Sequence, residues 1–218
     1  MPPEPRPPRS RPRLRGVSHA IAAVAAVPAA GWLVATAGHG PARMGASVYG
    51  ATLVALFAVS AAYHLTFWPS PVRHLVGRID HSAIFLLIAG TYTPFCLLLG
   101  PGPGHTLLAA AWISAGIGIL VVVGWAGIPK ALRSALYVLL GWFVFPVVPA
   151  LRAAIGDRAL LLLLVGGLFY TVGAVVYALR RPDPFPRVFG FHEIFHVLVI
   201  AAAMCHFAVV RAAIRALG

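Results

Sequence analysis

The chain has 218 residues, of which 60% are hydrophobic and only 10% charged, and its formal net charge is +12. Ordinary soluble domains carry about a quarter charged residues, and a soluble domain of this length cannot hide so much apolar side chain. A soluble globule, a disordered chain and a nucleic-acid module are therefore excluded. The positive charges fall between apolar stretches, which suits a membrane.

In chain order, residues 1–15 are dominated by Pro and Arg and read as a disordered, solvated cytoplasmic tail. Residues 16–218 read as one all-α polytopic membrane domain. A crossing of the hydrocarbon core needs roughly 20 apolar residues. Seven such runs follow, at 17–38, 45–67, 80–99, 105–126, 134–151, 159–179 and 191–210. The first is too long for a signal-peptide core of about 7–15 residues, so it reads as a first membrane helix. The fifth is the shortest and holds Pro146 and Pro149, which membrane helices tolerate when neighbours satisfy the freed carbonyls. Gly116, Gly118, Gly166 and Gly167 mark expected close approaches between helices. Cys96 and Cys205 both fall inside apolar runs and imply no disulfide framework.

Lys and Arg are distributed unequally between the two sides. One side holds Arg6, Arg9, Arg11, Arg13, Arg15, Arg73, Arg78, Lys130, Arg133, Arg180, Arg181 and Arg187. The other holds Arg43, Arg152, Arg158, Arg211 and Arg215. The positive-inside rule then places the N-terminus in the cytoplasm and the C-terminus outside.

Ionisable groups within spans are costly, face the bundle interior and mark function. Of five acidic residues, Asp80 and Glu193 lie at the cytoplasmic ends of the third and seventh spans. His64, Asp80, His192 and His196 all fall within roughly 8 Å of the inner surface at 1.5 Å rise per residue. Ser60 and His64 are four residues apart, as are His192 and His196, so each pair shares a helix face. Two imidazoles at that spacing can hold one metal ion, with His64 a third ligand. Three protein nitrogens with an open position are the pattern of catalytic zinc, although iron and copper accept the same ligand type. Asp80 is placed to position or deprotonate a water there, with Ser60 giving a supporting hydrogen bond.

The other histidines read differently. His206 lies about 15 Å along its helix from His196 and reads as an interhelical hydrogen-bonding residue. His81 is about 100° around its helix from Asp80 and is expected to face elsewhere. His19, His39, His74 and His105 sit near span ends or in loops and receive no role. His192-Glu193-Ile194-Phe195-His196 also fits the H-E-x-x-H pattern of zinc metalloproteases, in which the Glu is general base. An intramembrane protease is thus one alternative, but the motif lies in the last span, with no later helix to complete such a core. The plainer expectation pairs Glu193 with an interfacial Arg such as Arg187 or Arg78.

Three blocks in order carry a family resemblance. They are Ser60-Ala61-Ala62-Tyr63-His64; Ile79-Asp80-His81-Ser82-Ala83-Ile84 with Ala89-Gly90-Thr91-Tyr92-Thr93-Pro94; and Gly190-Phe191-His192-Glu193-Ile194-Phe195-His196 with His206-Phe207. With the seven spans, they resemble the hemolysin III family, bacterial members of the progestin and adiponectin receptor (PAQR) superfamily. The resemblance implies a seven-helix bundle with a cytoplasmic N-terminus and zinc held by His64, His192 and His196. It also implies that Asp80 contacts the water at the zinc and that Ser60 supports the site. Eukaryotic relatives are associated with ceramide hydrolysis, so hydrolysis of a lipid amide is what the resemblance implies here. The chain departs from the adiponectin receptors at Glu193, where those carry Gln, and at His81, where they carry Tyr.

The leading expectation is a zinc-dependent membrane hydrolase acting on an amide or ester of a membrane lipid. Its expected location is the bacterial plasma membrane, in keeping with the Ala- and Arg-rich usage. A non-enzymatic sensor or regulator of membrane state, with zinc as a structural clamp, is the second class. An ion carrier is disfavoured because the outer half offers His206 but no acidic residue. Haem binding is disfavoured because His64 matches His192 and His206 at one level only.

Overall fold

A computed structural model describes residues 12–218, so residues 1–11 of the Pro/Arg-rich segment lie outside the described residues. The regular structure of the described chain is helical. Its elements are α1 (Val17–Ala35), α2 (Pro41–Leu65), α3 (Ser70–Leu99), α4 (Pro103–Gly124), α5 (Lys130–Gly141), a 3-10 segment (Trp142–Val147), α6 (Val148–Leu179) and α7 (Phe191–Leu217). No strand occurs among the described residues beyond one isolated bridge between Phe185 and Phe189. Proline occupies the first turn of α2, α3, α4 and α6, where its missing N–H has no helical partner to lose.

Among the described residues, six helical stretches are long and apolar enough to cross a membrane, the longest being the continuous 130–179 run. Many large apolar side chains point outward, Val24, Leu120 and Met204 among them, which is the surface a bundle presents to lipid. The protein is membrane-embedded.

The fifth and sixth runs of the sequence form one helical stretch with two interruptions. The first is the 3-10 segment around Pro146, which supplies no N–H to the ladder. The second is Gly156, whose φ of 79° and ψ of 168° turn the chain back on itself. Arg133 reaches Tyr177, and Trp142 reaches Thr171, so the arms either side of Gly156 lie antiparallel.

Tyr92 on α3 repairs the first interruption. Its hydroxyl hydrogen is shared between the carbonyls of Leu140 (3.0 Å) and Gly141 (2.8 Å), and its oxygen accepts the Val144 N–H at 2.9 Å. In an apolar layer those backbone groups have no water to turn to.

α7 packs against α1, α2, α3 and α6 and is the element they share. Small residues permit the close crossings. A Cβ on Gly118 would stand 2.3 Å from Phe85, and one on Gly166 would stand 2.3 Å from His206. Gly50 meets Ala30, and Gly90 meets Thr52, in the same way. Gly116, by contrast, has open space beside it.

One end of the bundle gathers the start of α1, the α2–α3 connection, the start of α5 and the start of α7. Arg13 and Leu14 donate backbone hydrogen bonds to Arg187 and Val188, and Lys130 lies over the rings of Tyr177 and Phe191. Gly16, at φ 84°, lets α1 begin against α2, where a Cβ would stand 2.6 Å from that of His64.

Replacing Tyr92 with Phe keeps the ring and strands the Val144 N–H and the two carbonyls. A loss of about 1–3 kcal/mol is expected, read as a lower unfolding temperature in detergent, with Tyr137→Phe as the comparison.

Candidate metal centre

Three helices deliver the polar groups to this end. α2 carries Ser60 and His64, α3 carries Asp80, and α7 carries His192 and His196 on one face of its first two turns. His64, His192 and His196 each offer one ligand nitrogen, and these nitrogens lie within 4.8 Å of one another. The Nε2 atoms of His64 and His192 are 3.2 Å apart. The rings are crossed rather than stacked, with centroids 4.7 Å apart for His64 and His192, 5.0 Å for His64 and His196, and 4.5 Å for His192 and His196.

These residues fit a divalent cation. Nitrogens about 2.0–2.1 Å from a tetrahedral zinc ion stand roughly 3.3 Å from one another. The Nε2 separation of His64 and His192 is close to that value. Nδ1 of His196 is buried without a hydrogen-bond partner, an arrangement that a bare protein core rarely keeps.

The Asp80 carboxylate adjoins the triad, with Oδ2 3.9 Å from His64 Nε2, and it faces the Ser60 hydroxyl. His81 differs from its sequence expectation. Its Nδ1 lies 3.7 Å from Asp80 Oδ2, and it lines the same cavity. The hundred-degree step between the two residues is bridged because that cavity spans a wide arc of α3. His206 donates to the Leu163 carbonyl at 3.2 Å, an interhelical bond well away from the triad.

A cavity of about 130 Å³ begins at Ser60, Asp80, His192 and His196 and runs between α3, α5, α6 and α7 to His206. Its walls are mostly apolar, with Arg133, Tyr137 and Tyr177 near the histidine end. Along α7, His192 and His206 are fourteen residues, or roughly 21 Å, apart.

Glu193 is engaged at both oxygens. Oε1 pairs with the Arg15 guanidinium, and Oε2 accepts the Gly190 N–H at 2.8 Å, closing the first turn of α7. Its partner is therefore Arg15 rather than Arg187 or Arg78. The reason is local: Arg13 and Leu14 bond to the 187–188 backbone and thereby lay Arg15 across the start of α7. A carboxylate held in this way is not the free general base that H-E-x-x-H chemistry requires.

The chain matches the family model described as Haemolysin-III related over residues 9–207. It belongs to that family. Relatives include Hemolysin-3 of Bacillus cereus, 35% identical over 198 residues that cover 88% of this chain and 87% of the relative. The Hemolysin-3 homolog of Bacillus subtilis (strain 168) is 31% identical, with 88% of each chain covered. The human Monocyte to macrophage differentiation factor is 29% identical over 171 residues, covering 76% of this chain and 68% of the relative. That likeness supports the link between this haemolysin-III protein and the wider PAQR superfamily.

Two residues of the site were not read from the sequence. His19 on α1 hydrogen-bonds Ser60 at 2.8 Å between Nδ1 and Oγ, and its ring lies flat on that of His196, with centroids 3.7 Å apart and planes 9° apart. Arg133 is buried in the cavity wall, where Nη2 donates to the Tyr177 hydroxyl at 2.7 Å. For His19 a signal existed: it is the third residue of its helix, at the depth already inferred for His64 and His192.

The Arg15–Glu193 pair can be tested without touching the histidines. Arg15→Met leaves a buried carboxylate unpaired and is expected to lower the unfolding temperature by the equivalent of about 2–4 kcal/mol. The double variant Arg15→Met/Glu193→Gln removes the charge, keeps an acceptor for Gly190 and is expected to recover most of that loss.

Proposed function

We propose that this haemolysin-III protein is a zinc-dependent integral membrane hydrolase acting on an amide or ester bond of a membrane lipid. The observation that carries this is the convergence of three imidazoles from α2 and α7 beside the Asp80 carboxylate, at the head of a long apolar cavity. The surrounding topology is seven crossings, counting the two arms either side of Gly156 separately. The N-terminus and residues 1–15 are cytoplasmic, the C-terminus is outside, and the membrane is the bacterial plasma membrane. The gathering of Arg13, Arg15, Lys130, Arg133, Arg180 and Arg187 at the histidine end supports that orientation.

In this scheme His64, His192 and His196 hold the ion. Zinc bound there supplies a Lewis acid that polarises a carbonyl and makes a nearby water acidic. Asp80 is the catalytic base: it stands next to the ligands and accepts the proton of the attacking water. Ser60 hydrogen-bonds the Asp80 carboxylate and fixes its direction. The apolar walls between α3 and α7 take the acyl chain, which places its carbonyl among the polar groups and keeps bulk water out. Protonated Asp80 then returns its proton to the leaving amine or alcohol.

A clamp of α2 to α7 by a structural ion needs the same ligands, and the remoteness of those helices in sequence favours it as the second reading. Asp80 separates the two. Purified wild-type protein is expected to hold about one zinc per chain, and His64→Ala, His192→Ala and His196→Ala are each expected to lose it. Asp80→Asn is expected to keep the metal while losing about 10²- to 10⁴-fold in turnover of labelled acyl amides and esters. Metal analysis and lipid extraction of the same preparations check both. Equal turnover by Asp80→Asn and wild type rejects the hydrolase.

A further inference from the structure

We propose that His19, on α1, is a positioning residue for this centre, acting through both Ser60 and His196. It rests on the metal site proposed above. His19 is 3% exposed and wedged between α2 and α7. Its Nδ1 bonds the Ser60 hydroxyl at 2.8 Å, its ring lies parallel to that of His196, and Phe57 abuts it edge-on at 5.1 Å. Its Nε2 is buried without a hydrogen bond of normal geometry, so the well-formed polar contact of this ring is the one from Nδ1. The His19 nitrogens do not join the group formed by the other three rings, so its role is not that of a ligand.

Each contact constrains a different part of the site. An imidazole ligand can rotate about its Cβ–Cγ bond and swing its nitrogen away from an ion. A second ring lying flat at 3.7 Å blocks that rotation for His196. The Ser60 hydroxyl has one proton, and an ionised Asp80 can only accept. With Nδ1–H of His19 donating to Ser60 Oγ, the Ser60 proton is directed to the carboxylate. The relay His19 to Ser60 to Asp80 therefore sets the direction of the catalytic carboxylate, and the stack sets the plane of a ligand.

The two arms separate by substitution. His19→Phe keeps a flat ring against His196 and loses the bond to Ser60. His19→Asn keeps an amide N–H near the Nδ1 position and loses the stack. His19→Ala loses both. The measurements are zinc affinity by chelator competition and the visible spectrum of the cobalt-substituted protein, with circular dichroism to confirm the fold. His19→Ala and His19→Asn are expected to bind zinc about 10- to 100-fold more weakly than wild type. His19→Phe is expected to recover most of that affinity, yet to show a cobalt spectrum altered by the misdirected Asp80. Wild-type affinity in His19→Ala overturns the assignment, as does His19→Phe binding no better than His19→Ala. A wild-type protein that takes up no zinc overturns the metal centre and this inference together. Normal wild-type uptake with an unaffected His19→Ala overturns this inference alone.

Discussion

Ser60, His64, Asp80, His192 and His196 stand inside an apolar layer, where a polar group without a partner costs several kcal/mol. Lipid supplies no partner, so the protein must, and the groups have to meet across helices. The 3.2 Å approach of His64 and His192 and the packing of His19 on His196 are products of that constraint. Placing α2, α3 and α7 side by side at one end then follows, because no other arrangement lets residues so distant in sequence share partners. Bringing nitrogen lone pairs together without protons between them is itself unfavourable. A cation at their focus relieves that cost, which is why the fit to a metal is a statement about stability as much as chemistry.

α7 is the element on which this depends most. Its first turn is closed by Glu193 accepting from the Gly190 N–H, and the same carboxylate holds Arg15. One helical turn therefore carries the capping carboxylate of Glu193 and the imidazole of His192 side by side, pointing in different directions. Farther along, His206 meets α6 where Gly166 leaves room for its ring. The close contact fixes the rotation of α7 about its own axis. A helix fixed in rotation at His206 presents His192 and His196 on a set face about 15–21 Å away.

The legible part of the fold was the part governed by hydropathy and helical period. The apolar runs became helices, and the four-residue spacing of His192 and His196 put both rings at one point. Asp80 also comes level with His64, since a straight helix converts residue number into distance. The 3-10 segment and the reversal at Gly156 were less legible. Pro146 and Pro149 warn of a break, but only Tyr92, some fifty residues earlier, determines how its carbonyls are satisfied. His81 was misjudged because a helical wheel describes angles on one cylinder and says nothing of how wide the neighbouring cavity is. Glu193 does pair with an Arg, but which one is not legible, because Arg15 lies in a segment that has no hydropathy pattern at all.

That segment shows why α1 is integral to the site although most of its surface faces outward. Among the described residues, its hydrogen bonds and ion pair to other elements lie at one end, while apolar packing runs along its length to Leu33 and Ala37. Arg13 and Leu14 bond the backbone before α7, Arg15 pairs with Glu193, Gly16 seats against His64, and His19 reaches Ser60 and His196. Farther up, Gly50 and Ala30 supply a close crossing with no polar content. Hydrophobic contact with neighbouring helices differs little from contact with lipid, so it orients α1 only weakly. The polar contacts therefore add a specific direction to α1 at the end where the histidines gather. Residues that look like a flanking tail and a peripheral helix thus belong to the same hydrogen-bonded unit as Asp80 and the histidines.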